Sequence, residues 1–386
     1  MFHKLHTNYI MDTKLVATKE RSGHCLCLCF FVACDRIALL WMSSCPHKNW
    51  LEGPCHLIHL FVDAAGGDHA PQAPVTGSID ALHRDPGLRI TLAGIASDIE
   101  PLLAEAQDVR ERITVLDAPD IITNHESPAI AIRQKKQSSI VLGMLQVRAG
   151  ESDAFVSAGS TGAILLGGML RLGRIHGIER PALAPLLPHG KGHFLLIDCG
   201  ANVDCQPDYL VQFGLMGDAY MRAVRGLDMP RIGLVNVGDE AEKGNALTKA
   251  TFPLMEAAPY HFVGNVEARY ITGDLADVIV CDGFDGNIIL KFMEGLAGTL
   301  MGIIKTELMG DTRSKLGALL AKPAFGRVKK LMDYHEVGGA PLLGVQGAVV
   351  KAHGSSNAYA FSSALRQASQ MVRANIVNAI ELQLNK

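Results

Sequence analysis

The chain has 386 residues, 48% of them hydrophobic and 19% charged, with a formal net charge of −3. That length admits two domains or one large two-lobed unit, and the apolar content is ample for a buried core. The near-neutral balance removes the global basic signal of a nucleic-acid binder, so any anionic partner must meet a local patch.

Residues 1–57 read differently from the rest. They hold both tryptophans, Trp41 and Trp50, and six of the nine cysteines: Cys25, Cys27, Cys29, Cys34, Cys45 and Cys55. The apolar stretch Cys25 to Cys34 is too short to span a bilayer and is cut by Asp35-Arg36. Cys-x-Cys-x-Cys lacks paired zinc spacing, and no clean small-x-small cleavage site follows. We expect a non-native or disordered extension here, with the native start near Leu57. The other cysteines, Cys199, Cys205 and Cys281, give no disulfide framework and suit a reduced, cytoplasmic protein.

From Leu57 the pattern is strand, glycine turn, helix, repeated. Leu57–Val62 reads as an apolar strand, Pro71–Arg84 as a helix opened by proline, and Leu88–Ala93 as a second strand. Asp98–Ala106 is expected helical, Ile113–Leu116 extended, and Pro128–Arg148 one long helix. Ala154–Ser157 is a strand running into a helix over Ala163–Leu172. Phe194–Ile197, Ile232–Val237 and Val278–Cys281 are further buried strands, each followed by a helix, and a last helix covers Ser356 to Leu382. The alternation predicts an α/β fold with a mainly parallel, doubly covered sheet. Residues 58–386 are expected to form one unit of two interleaved lobes.

The strand-to-helix junctions carry the chemistry. Asp63-Ala64-Ala65-Gly66-Gly67-Asp68-His69 places two glycines and two acids where ligands sit in open α/β sheets. Ser157-Ala158-Gly159-Ser160-Thr161-Gly162 joins a strand end, two hydroxyls and a helix start, a pattern suited to an anion. Asp198-Cys199-Gly200-Ala201-Asn202, Val237 to Gly244 with Lys243, Gly264 to Arg269 with Asn265, Cys281 to Asn287 with Asp282, and His353-Gly354-Ser355-Ser356-Asn357 complete the set. Each is a weak signal by itself, equally readable as a turn or a cap; together they point to one ligand-binding edge. No dinucleotide glycine pattern, Walker lysine or G-x-S-x-G elbow is present. His189 and His193 sit in a glycine-bearing loop and are not read as metal ligands.

This ordered set, from about Val62 to Asn378, resembles the PlsX family of phosphate acyltransferases. The matching runs are Asp63–Asp68, Ser157–Ala163, Asp198–Asn202, Val237–Gly244, Phe262–Arg269, Cys281–Lys291 and Leu342 through Val349 to Asn357. The resemblance implies reversible transfer of a long acyl group from acyl-carrier-protein to inorganic phosphate, yielding acyl phosphate for phospholipid synthesis. It also implies a fold similar to isocitrate/isopropylmalate dehydrogenases and phosphotransacetylase, a homodimer, no organic cofactor and no metal. Peripheral contact with the inner face of the membrane and a downstream glycerol-3-phosphate acyltransferase would follow. The chain departs from the family pattern at Ala65 (usually Met), Ser160 (usually Asn), Tyr270 (usually an acid) and Asp285 (usually small or apolar). A coenzyme A-dependent phosphotransacetylase and a membrane-bound acyl-carrier scaffold are the alternative readings.

For that reaction, phosphate must be held and aligned while a tetrahedral oxyanion is stabilised. Gly66, Gly67, Ser157, Gly159, Ser160, Thr161, Gly162, Ser355 and Ser356 are assigned to the phosphate or substrate, with Lys243, Lys291 or His353 as cationic help. Asn202, Asn265 and Asn287 are neutral donors for an oxyanion; Asp63, Asp68, Asp198 or Asp282 would orient a base or hold a lysine. Between about residues 311 and 334, Leu316, Leu319, Leu320 and Phe325 recur at helical spacing beside Lys315, Lys322, Arg327, Lys329 and Lys330. A basic amphipathic helix of this kind, kinked at Pro323, suits an anionic membrane or the acidic carrier protein. No core segment is expected to be long and apolar enough to cross a membrane.

Overall fold

The computed structural model describes residues 57–190, 192–332 and 338–386, the side chains of residues 329–332 excepted. The expectation for the extension, apart from Leu57, and the side-chain roles of Lys329 and Lys330 thus lie outside the described residues.

The first sheet begins with β1 (Ile58–Asp63), β2 (Leu88–Gly94), β3 (Ile113–Asp117) and β4 (Ala154–Ser157). Leu60, Phe61 and Val62 of β1 are fully buried, as a central strand covered on both faces requires. β11 (Gly339–Leu343) and β12 (Ala348–Ala352) return from the far end of the chain, and β5 (Ala182–Leu183) closes the edge. The spatial order is β3-β2-β1-β4-β12-β11-β5, parallel as far as β12 and antiparallel beyond it.

A second sheet, β6-β7-β10-β8-β9, uses β6 (Leu186–His189), β7 (Gly192–Ile197), β8 (Arg231–Asn236), β9 (His261–Glu267) and β10 (Val278–Val280). It is parallel except for the β6/β7 pair. The chain therefore crosses between sheets at Ala184-Pro185, where Ala184 N donates to Pro341 O and Leu196 N donates to Pro185 O. The predicted α/β class with mainly parallel strands holds, but as two sheets rather than one. The short antiparallel strands β5, β6 and β11 carry no clear periodic signal in the sequence.

Helices cover the faces: α1 (Gln72–Arg84), α2 (Ala96–Ile99), α3 (Pro128–Gln134), α4 (Ser139–Ala149), α5 (Thr161–Gly167), α6 (Pro207–Ala223) and α7 (Ala246–Glu256). The long helix expected over Pro128–Arg148 is two, because Ser138 leaves the helix and accepts the Val141 N–H as the N-cap of α4. Asp98–Ala106 is not one helix either: α2 ends at Ile99, and Pro101, which cannot donate, opens a 3₁₀ turn over Glu100–Leu103. The last helix is also split, into α10 (Ala358–Arg373) and α11 (Ile376–Leu384), where Asn375 takes φ 47°.

α8 (Gly283–Leu308) and α9 (Thr312–Met332) form a long helical pair. α8 corrects one expectation: it has 26 residues, a best window of mean hydropathy 1.4, and is the one described helix long and apolar enough to cross a membrane by length and composition. Glycines and charged residues dilute its pattern in the sequence. Pro323 lies inside α9, which runs continuously through it.

Candidate active site

The C-terminal ends of β1, β4 and β12 in one sheet and of β7 and β10 in the other lead into the lining and backing of a cleft of about 370 Å³. Two buried carboxylates organise its floor.

Asp63 ends β1 and is almost wholly buried. Its Oδ1 accepts from Ser139 Oγ at 2.6 Å and Ala65 N at 3.0 Å, and its Oδ2 accepts from Ser157 Oγ at 2.6 Å. Burial pushes its pKa up, against these donors. Ser157 Oγ also accepts from Gly159 N at 2.9 Å, so one carboxylate fixes both the β1 and β4 loops. A methyl on Gly66 would stand 2.7 Å from Gly159 N, and one on Gly67, at φ 101°, 2.8 Å from Ala158 Cβ and 3.1 Å from Gly354 O. These glycines are needed for loop-to-loop approach. Asp68 N donates to Gly354 O at 2.8 Å, bringing in the third loop, His353 to Ser356.

Asp198 plays the matching part in the second sheet. It is buried, and its carboxylate accepts from Leu183 N (2.9 Å), Ala201 N (3.3 Å), Asn202 N (2.6 Å) and Asn202 Nδ2 (3.0 Å). Burial outweighs these donors and raises its pKa to about 6. Asn202 thus serves its own loop; its Nδ2 also donates to Pro181 O at 2.8 Å. Gly283 N donates to Asn202 O at 2.7 Å, so the start of α8 locks onto this loop, and Asp282 N-caps α8 by accepting from Asp285 N at 2.8 Å.

Of the residues assigned from sequence, Thr161, Asn287, Lys291 and His353 line the cleft. Lys291 Nζ lies 2.7 Å from Glu294 Oε2 and 3.5 Å from His353 Nε2, while His353 Nδ1 meets Ser355 Oγ at 2.8 Å. Gly66, Gly67, Asp63, Asp68, Ser157, Gly159, Asp198 and Asn202 build the loops behind it. Ser160 is buried at the start of α5, Gly162 packs toward Pro128, and Ser356 Oγ is buried without a partner among the described residues. Lys243 and Asn265 belong to the β8 and β9 ends, outside the cleft lining. There Asn265 Nδ2 donates to Glu240 O at 2.8 Å and Asn236 Nδ2 to Lys243 O at 3.1 Å. Of the family departures, Tyr270 lies under the Arg269 guanidinium at 4.7 Å. Asp285 sits in the first turn of α8, outside the lining, its pKa raised by burial and then by Asp282.

Sequence reasoning missed three contributors. Lys351, in β12, lines the cleft, donates to Ala158 O at 3.4 Å and to Ala352 O, and is pushed down to about 8 by burial and then by the Lys291 charge. Its signal was a single cation in an otherwise apolar strand. Ser139, which orients Asp63, gave none. Cys199 lines the cleft, but burial and then the Asp198 charge raise its thiol pKa well above normal, which disfavours the thiolate. The lining also holds apolar side chains: Leu186, Leu187, Val203, Phe284 and Leu290. The cleft therefore combines cations that can meet an anion with apolar surface that can meet a hydrocarbon.

Residues 58–379 match the family described as fatty acid synthesis protein. The chain is 48% identical over 331 residues to the phosphate acyltransferase of Halalkalibacterium halodurans, covering 85% of this chain and 97% of that protein. It is 47% identical over 331 residues to the phosphate acyltransferase of Bacillus cereus, covering 85% and 99%. Among solved structures, EutD phosphotransacetylase from Staphylococcus aureus superposes with a TM-score of 0.52 at 15% identity, over 81% of this chain and 94% of that one. A branched-chain phosphotransacylase from Enterococcus faecalis gives 0.51 at 14% identity, over 82% and 99%. At such identities these two structures bear on the fold alone.

Proposed function

The chain belongs to the fatty acid synthesis protein family and is a phosphate acyltransferase; from that premise we propose that it moves a long-chain acyl group, reversibly, from acyl-carrier-protein to inorganic phosphate. The observation that carries this reading is the cleft itself, which gathers Lys291, Lys351 and His353 with the apolar Leu186, Leu187, Val203, Phe284 and Leu290 in one lining. Hydrogen phosphate attacks the thioester carbonyl, the C–S bond breaks, and the proton of the phosphate ends on the released thiol. No enzyme nucleophile is needed, in keeping with the raised Cys199 thiol. Asn287 and Thr161 are the neutral donors positioned in the lining to meet the developing oxyanion. Loop rigidity from the Asp63 and Asp198 cradles supplies alignment. Lys243 and Asn265 remain assigned to substrate contact from the adjacent β8 and β9 ends.

The α8/α9 pair supports peripheral membrane contact at the inner face. Phe292, Leu300 and Ile303 of α8 and Leu316, Leu319 and Leu320 of α9 are exposed, while Phe325 is half-buried. Lys315, Lys322 and Arg327 lie on the same helix. Apolar side chains with basic neighbours suit an anionic lipid surface. A spanning role is disfavoured because the first turns of α8, Gly283 to Lys291, are part of the cleft. Delivery of acyl phosphate from this surface to a glycerol-3-phosphate acyltransferase, and a homodimeric state, complete the proposal.

The test is phosphate-dependent thiol release from palmitoyl-acyl-carrier-protein and, in parallel, from palmitoyl-coenzyme A and acetyl-coenzyme A. Release that prefers the carrier-protein donor supports the reading. Preference for acetyl-coenzyme A would instead assign a short-chain phosphotransacetylase, and phosphate-independent binding without release would assign a scaffold.

A further inference from the structure

Lys351 is a charged residue of the cleft lining to which the sequence reading gave no role. It is the fourth residue of β12, and Ala348, Val349, Val350 and Ala352 around it are buried. Register pairs it with Ser157 of β4, the residue that bridges Asp63 to Gly159. Its ammonium donates only to backbone carbonyls, Ala158 O and Ala352 O, and forms no ion pair among the described residues.

Asp63 and Asp68 act on the Lys351 ammonium only from beyond ion-pair distance; a half-buried ammonium with no direct ion pair is expensive, and a fold that keeps one ordinarily offers it an anion. Two carbonyl bonds leave the third N–H of the ammonium for a ligand. Lys291 on α8 lines the same cleft, and its charge acts on Lys351 in the empty cleft. Two cations that repel one another across a cavity are both relieved by a dianion between them. The groups facing Lys351 are Lys291 with Glu294 from α8, Asp63 from β1, Asp68 from the loop that follows, and His353 directly after β12.

We propose that Lys351 is a phosphate-binding residue of this site, its ammonium and that of Lys291 holding the nucleophile between them. This rests on the phosphate acyltransferase reading and is independent of which acyl donor is used. A purely structural lysine, tying Ala158 to Ala352, would pin two loops and leave phosphate affinity alone.

The sign of the pH effect follows from the direction in which burial and the Lys291 charge shift Lys351. Held down to about 8, Lys351 loses its charge in the free protein as pH rises through 8. Phosphate favours the charged form, so binding at pH 8.5 takes up a proton.

The experiment is calorimetric titration of the full chain with inorganic phosphate, without acyl donor, from pH 7 to 9 and in buffers of different ionisation enthalpy. Lys351→Met should weaken phosphate binding by about 10- to 100-fold. Lys351→Arg, charged at every pH used, should keep measurable binding and abolish both the fall above pH 8 and the proton uptake. Unchanged affinity in a folded Lys351→Met chain overturns the proposal. So does a pH 8 break that persists in Lys351→Arg, which decides the matter should the methionine variant not fold. Wild-type chain that binds no phosphate overturns this proposal and the functional reading together. Binding that depends on Lys351, with no acyl phosphate made from any donor, sinks only the functional reading.

Discussion

Gly286→Ala should disable the enzyme while adding a single methyl outside the cleft. In α8 a methyl at this position would overlap the Asp198 carbonyl oxygen and sit 2.9 Å from Cys281 Sγ. Neither neighbour yields easily: the carbonyl belongs to the loop pinned by the four donors to Asp198, and Cys281 directly follows β10. The helix start must therefore retreat. Helix propensity favours alanine by about 1 kcal/mol, whereas overpacking against backbone costs about 1–3 kcal/mol, so the net change is a modest loss of stability. The larger effect is positional. Gly283, Asn287 and Lys291 ride on the same turns, and displacement of catalytic groups by about 1 Å can cost about 10²-fold in rate. Gly295→Ala, on the same helix with nothing within 4 Å of the added methyl, isolates the propensity effect. Acyl phosphate formation and thermal unfolding are measured for both. The expected pattern is activity lost about 100-fold in Gly286→Ala with Tm nearly kept, and Gly295→Ala active with Tm equal or higher. Gly286→Ala with wild-type kcat/KM would refute the claim that the α8 start is set by the Asp198 loop.

Other consequences are equally direct. Asp198, raised from 3.8 to about 6, binds its proton more tightly folded than unfolded, so its contribution to stability is complete below 3.8 and is lost as pH rises through 6. Carbon-13 carboxyl titration should place its midpoint near 6, and a midpoint below 4 would contradict the dominance of burial over its donors. Leu319→Glu/Phe325→Glu should reduce flotation with anionic vesicles while sparing acyl transfer in detergent, since both residues lie on α9 away from the cleft lining. Equal flotation would remove α9 as the lipid contact. Ser139→Ala deletes the 2.6 Å donor to Asp63 Oδ1 and should cost about 1–3 kcal/mol of stability, read as a lower urea midpoint; an unchanged midpoint would show that the cradle does not depend on it.

The central strands were legible because they are buried on both faces, as in Leu60 to Val62 of β1 and all of β4. Boundaries failed where a local polar bond or backbone angle interrupts a segment read as one helix, as when Ser138 caps α4 after the polar run Arg133 to Gln137 and Asn375 turns left-handed between α10 and α11. The division into two sheets was hidden because it depends on β5 and β6, too short to show a period. Of the glycine and acid junctions, those after β1, β4, β7, β10 and β12 lead to the cleft, while those after β8 and β9 lie outside its lining. What the sequence could not separate was scaffold from lining. Asp63 and Asp198 look like catalytic acids in one dimension, yet each carboxylate accepts donors from its own loop and from neighbouring elements, Ser139 and Ser157 for Asp63 and Leu183 for Asp198. Lys351 looks like an ordinary strand residue, yet it lines the cleft.

The central claim is that one cleft joins inorganic phosphate to a long acyl chain. Its most direct measurement is transfer of label from ³²P-phosphate into a hydroxylamine-sensitive product in the presence of palmitoyl-acyl-carrier-protein. The account predicts labelled palmitoyl phosphate in the wild-type chain and its loss on substitution of Lys291 or Asn287. A folded wild-type chain that forms no labelled acyl phosphate from the carrier-protein donor would contradict it.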